Sequence, residues 1–104
     1  MKITFNKQEL EFRYNWGSLY TYEKITDEPL NVDKNMSRHV LLYSILLYNN
    51  QGVFSLTWNE FVAVIEDYSE LKVLTDALIK ELELKAQERE KAEQGKNAET
   101  KKKD

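Results

Sequence analysis

The chain has 104 residues, no cysteine and a formal net charge of −3, which limits it to one small domain without disulfides or a thiolate metal site. The charge is uneven: residues 1–84 carry 8 basic and 13 acidic side chains, and residues 85–104 carry 7 basic and 5 acidic ones. An acidic body argues against a nucleic-acid surface, which needs a basic patch. The longest apolar run, Val40 to Tyr48, is far shorter than the ~20 residues a membrane helix needs.

Residues 2–5 and 9–15 read as a β-hairpin. Ile3 and Phe5 alternate with Lys2, Thr4 and Asn6, and Leu10, Phe12 and Tyr14 alternate with Glu9, Glu11, Arg13 and Asn15. Asn6-Lys7-Gln8 supplies the turn, with weaker chemistry than Asn-Gly. Trp16 continues the inward alternation. Gly17 then turns the chain out of the strand, and Ser18 is a good N-cap. Leu19, Tyr22 and Ile25 follow at helical spacing, and Pro29 ends that helix.

Leu30 to Asn35 reads as a loop, with Asn35 or Ser37 capping a second helix that runs to about Tyr48. That helix is apolar nearly all round, so it belongs at the centre of a core or under a partner. Asn49-Asn50-Gln51-Gly52 supplies C-capping residues. Thr57-Trp58-Asn59-Glu60 is a capping box, with Leu56 placed to staple on Phe61. Phe61, Val62 and Ile65 make the buried stripe of a third helix ending near Tyr68. Ser69 caps a fourth, on which Leu71, Leu74, Leu78 and Leu82 form a narrow stripe with Ile79 beside it.

The pattern defines an α+β fold: an N-terminal hairpin packed on three to four helices over residues 1–84. Residues 85–104 form a helical extension to about Gln94 and a disordered charged tail beyond Gly95.

Chemistry-bearing constellations are sparse. His39 is the only histidine and lacks companion ligands, so it reads as a surface or helix-start residue. Asp27/Glu28 and Glu66/Asp67 are adjacent pairs; neighbours on a helix point ~100° apart, so neither pair makes an acid/base couple. Three glycines are too few for a phosphate loop. The expectation is a non-enzymatic protein with no cofactor and no metal. Trp16, Tyr22 and Trp58 read as core. Tyr20 lies on a different helix face from Tyr22, which leaves it, with Glu23, for a partner. The leucine stripe Leu71, Leu74, Leu78 and Leu82 is a second candidate partner surface, one that would also serve self-association.

The stretch Trp16-Gly17-Ser18-Leu19-Tyr20-Thr21-Tyr22-Glu23-Lys24-Ile25-Thr26 fits the pattern aromatic-Gly-x-Leu-x-x-Tyr-Glu-x-x-Thr. Together with the preceding hairpin, the apolar helix Leu41 to Tyr48, the Thr57-x-x-Glu60-Phe61 helix start and a final helix with a charged tail, it resembles the small tail assembly chaperones of long-tailed bacteriophages and prophages. The resemblance covers residues 1–84 and departs at Asp27, where it leads one to expect Gly. It implies a non-enzymatic role: binding the helical tape measure protein and keeping it soluble while tail tube subunits polymerise. The bacterial host cytoplasm is the implied location, in keeping with the lack of cysteines and of an export signal. The alternative is an oligomeric interaction adaptor or regulator unrelated to phage tails.

Overall fold

A computed structural model of the chain describes residues 1–28, 30 and 35–103, with side chains described for 1–28, 30 and 37–91. Two strands and four helices follow one another: β1 (Lys2–Phe5), β2 (Gln8–Glu11), α1 (Trp16–Thr26), α2 (Asn35–Asn49), α3 (Trp58–Ile65) and α4 (Tyr68–Lys103). The α+β class read from the sequence is the class observed. The expected loop 30–35 falls mostly outside the described residues, and Pro29 with it; Asn35 and Ser37, the expected caps of the second helix, both lie inside α2.

The strands pair antiparallel, with Ile3 opposite Leu10 and Phe5 opposite Gln8. Asn6 and Lys7 both have positive φ, 51° and 63°, which is the backbone of a two-residue type I′ turn. Phe5, Leu10 and Phe12 are buried on one face while Lys2, Thr4 and Glu9 face solvent. Each such phenylalanine contributes ~1.5–3 kcal/mol through burial. β2 ends at Glu11, earlier than the alternation to Asn15 predicts: Phe12 still exchanges main-chain hydrogen bonds with Met1, and beyond it the Arg13 carbonyl and the Tyr14 N–H go to the side chains of Asn49 and Glu81 instead of a strand.

α2 is the central helix, with Val40 to Leu46 all buried. Around Tyr43 the core is aromatic: its ring lies 5.1 Å from Phe61, 5.5 Å from Trp58 and 5.9 Å from Phe54. The Tyr43 hydroxyl donates to the Leu56 carbonyl at 2.7 Å, so its polar end is satisfied. The Thr57 capping box is present in both directions, and Leu56 packs against the core that holds Phe61.

Two caps differ from the sequence reading. Asn15, not Ser18, caps α1. Asp67, not Ser69, starts α4: its Oδ1 accepts from the Ser69 backbone N–H at 3.0 Å and from the Ser69 hydroxyl at 2.7 Å. In each case the true cap is an Asx residue two or three positions before the serine, and its side chain reaches forward to the free N–H groups of the first turn. α1 ends at Asp27 in the left-handed region, φ 57° and ψ 27°. That is the position where the resemblance leads one to expect Gly, the residue with least strain there.

α3 ends at Ile65 rather than near Tyr68. Burial on α4 ends with Glu81; from Leu82 to Lys91 its side chains are exposed. The backbone remains helical to Lys103, through the residues after Gly95 whose composition predicts disorder. The run of Ala, Glu, Gln and Lys has high helix propensity. No helix of the described residues is long and apolar enough to cross a membrane.

Candidate functional site

The segment between β2 and α1 is fixed by two asparagines at the end of α2. Asn50 Oδ1 accepts the Glu11 N–H at 2.8 Å, and Asn50 Nδ2 donates to the Glu11 carbonyl at 2.8 Å. Its amide therefore stands in for a third strand. Asn49 Nδ2 donates to the Arg13 carbonyl at 2.9 Å and to the Ile45 carbonyl at 2.8 Å. Asn49 Oδ1 accepts from Asn15 Nδ2 at 3.3 Å. On the other side Glu81 Oε1 accepts the Tyr14 N–H at 3.0 Å. The sequence reading gives Asn49 and Asn50 only a C-capping duty and does not single out Glu81.

This fastening sets the phase of α1. Asn15 is in extended conformation, φ −143°, and its Oδ1 accepts the Ser18 N–H at 3.0 Å. The Ser18 hydroxyl is fully buried, 2.7 Å from Asn15 Oδ1 and 3.2 Å from the Arg13 carbonyl. Ser18 and Tyr22 are thus the inward face of α1, and Trp16 is already helical. The core reading holds for Tyr22 and Trp58 and fails for Trp16, which is 73% exposed. Strand alternation does not reach it, because the strand has ended. Gly17 is helical as well, not a turn out of a strand. A Cβ there would run into the ring of Tyr48, so this glycine lets α1 and α2 approach closely.

Trp16 and Tyr20 are one helical turn apart on the outward face. Their rings are 6.5 Å apart at 30° and form a stacked ledge, with Tyr20 65% exposed. Glu23 is exposed three residues further along the same stripe. Beside the ledge an open groove of about 500 Å³ runs between α1 and α4. Tyr14, Trp16 and Leu19 supply its apolar wall; Lys85, Glu88 and Arg89 supply the other. Lys85 and Glu88 face each other at 3.8 Å, and Arg89 makes no ion pair among the described residues.

The second candidate surface is divided by the fold. Leu74 is fully buried, and Leu71 and Leu78 pack on the core. Only Leu82, at 45% exposure, and neighbouring Ile79 and Leu84 are open to solvent. The stripe is a core seam along most of its length, since α4 lies against the hairpin and α3. His39 sits with Arg38, Leu42, Thr75 and Leu78 around a smaller hollow of about 320 Å³. Among the described residues no group of three or more His, Cys, Asp or Glu is placed to hold a metal ion.

Comparison of the chain with protein-family models, with curated proteins and with solved structures finds no match.

Proposed function

We propose that the chain is a non-enzymatic protein-binding module whose working surface is the Trp16–Tyr20 ledge and the groove beside it. In particular, it acts as a tail assembly chaperone of the long-tailed phage type, binding the helical tape measure protein in the bacterial cytoplasm and keeping it soluble during tail assembly.

One observation carries the binding reading: two large aromatics with polar handles are stacked and exposed on a helix whose opposite face is locked in the core. Interfaces are enriched in such residues, and truncating them removes a large share of binding energy. The choice of partner rests on the resemblance of residues 1–84, which includes the ledge itself. The test is co-expression with a tape measure protein. Co-purification and a raised soluble fraction of the partner support the reading; neither effect would refute it.

The reading as an oligomeric adaptor is favoured by Ile79, Leu82 and Leu84, exposed apolar side chains on α4 where it leaves the core. Light scattering separates the two: a monomer at tens of micromolar removes the adaptor reading.

A further inference from the structure

We propose that Asn49, at the end of α2, is the positioning residue of the Trp16–Tyr20 ledge: it orients the Asn15 side chain, and Asn15 in turn holds the first turn of α1 in helical form. This rests on the ledge being the working surface and names a residue outside it on which its geometry depends.

The first turn of α1 is weak by itself. It reads Trp16-Gly17-Ser18-Leu19 and holds no acidic residue, so it lacks a side-chain charge to complement the helix dipole. Glycine and serine are also among the poorer helix formers, and Gly17 is dictated by the Tyr48 ring, which a Cβ would strike. The stacking of Trp16 on Tyr20 needs this turn, because residues four apart meet only on a formed helix. If the turn unwinds, Trp16 leaves Tyr20 although neither side chain has changed.

What holds the turn is a relay of two amides. Asn15 Oδ1 accepts the Ser18 N–H at 3.0 Å, and the Ser18 hydroxyl lies 2.7 Å from the same oxygen. An asparagine cap works only with its oxygen forward; turned over, its NH2 group faces the Ser18 N–H, donor against donor. The orientation is set from behind, where Asn15 Nδ2 donates to Asn49 Oδ1 at 3.3 Å. Asn49 is itself fixed, since its Nδ2 donates to the Ile45 carbonyl of its own helix at 2.8 Å and to the Arg13 carbonyl at 2.9 Å. Its oxygen is thereby left for Asn15.

The relay predicts a rescue that a purely structural asparagine cannot give. Asn49→Ala should remove the nuclear Overhauser contact between the Trp16 and Tyr20 rings. It should also speed amide exchange at Ser18 and Leu19, whose N–H groups bond Asn15, by about five- to tenfold, as loss of a cap allows. The contact between Tyr43 and Phe61 in the core serves as the sign of folding. Should Asn49→Ala fail to fold, Asn49→Ser gives the same reading, because serine can bond the Ile45 carbonyl but is too short for Asn15. A carboxylate at residue 15 has two equivalent oxygens and needs no orienting, so Asn15→Asp/Asn49→Ala should restore the ring contact and the slow exchange. Survival of the ring contact in Asn49→Ala, or failure of the double variant to restore it, overturns the proposal and leaves the proposed function untouched. Co-expression with a tape measure protein separates the two: Asn49→Ala should lose the solubilising effect and the double variant should regain it. Loss of the ring contact with the solubilising effect intact would remove the ledge as the working surface, while the link from Asn49 to Trp16 stood.

Discussion

The Glu81 carboxylate accepts the backbone N–H of Tyr14 at 3.0 Å, tying the last buried turn of α4 to the segment that leads into α1. Three turns earlier on the same helix, Glu70 Oε2 accepts the N–H of Asn6 at 2.8 Å. α4 therefore holds the N-terminal region at both ends of the hairpin. Glu81→Ala leaves the Tyr14 N–H without its acceptor and is expected to cost ~1–3 kcal/mol. Glu81→Gln keeps a carbonyl acceptor and should cost less. Urea denaturation of the two variants measures the difference; equal losses would mean that the carboxylate contributes packing rather than a hydrogen bond.

Asn50 makes two hydrogen bonds to Glu11 and a third to the Leu46 carbonyl at 3.0 Å. Asn50→Ala removes all three in a buried place, so a loss of ~2–3 kcal/mol is expected from two or more unsatisfied main-chain groups. Amide exchange at Glu11 should rise more than at Leu10, whose main chain pairs with Ile3.

Gly17 and Tyr48 are matched by shape. A Cβ at residue 17 collides with the Tyr48 ring, which is 41% exposed and can swing toward solvent. Gly17→Ala gains ~1 kcal/mol of helix propensity but displaces the ring, for a net loss. Adding Tyr48→Ala relieves the collision, so the double variant should be more stable than the sum of the single changes by about 1 kcal/mol. An additive cycle would show that the ring gives way at no cost.

Stability should form a plateau in pH with both limbs assigned. The Thr57 backbone N–H, then its side chain, hold the Glu60 carboxyl below its ordinary 4.5. The Ser69 hydroxyl and N–H hold Asp67 below 3.8. Groups depressed in the folded state stabilise it above their ordinary values, and this contribution is lost as pH falls through the folded ones. On the alkaline side Asp76 raises Lys72 above 10.5, and burial, with the Glu60 charge as a smaller cause, raises Tyr43 above 10.0. Their contributions are complete below those values and are lost as pH rises. Urea midpoints against pH should therefore fall at both ends. Glu60→Gln, which keeps an acceptor for the Thr57 N–H, should flatten the acid limb.

The hairpin, the capping box and the aromatic core were legible because alternation, helical spacing and the S/T-x-x-E signature are local. The phase of α1 was not. Asn15, Asn49 and Asn50 act across more than 30 residues, and nothing local distinguishes an asparagine that clamps a distant strand from one that ends a helix. Alternation alone misplaces Trp16 for that reason, since its exposure depends on where β2 stops. Leu74 departs in the opposite sense: a leucine stripe looks the same whether its partner is another protein or this chain's own hairpin. Tyr20 and Glu23 needed only the helical period, and both are exposed as that period predicts.

The most direct measurement is the soluble fraction of a tape measure protein co-expressed with the wild-type chain and with Trp16→Ala/Tyr20→Ala. Both side chains are mostly exposed, so the double variant should keep the wild-type unfolding free energy, read by urea denaturation, within ~0.5 kcal/mol. The wild-type chain should raise the partner's soluble fraction, and the folded variant should fail to do so. No effect of the wild-type chain, or an equal effect of the variant, would contradict the assignment of the ledge as the chaperone surface.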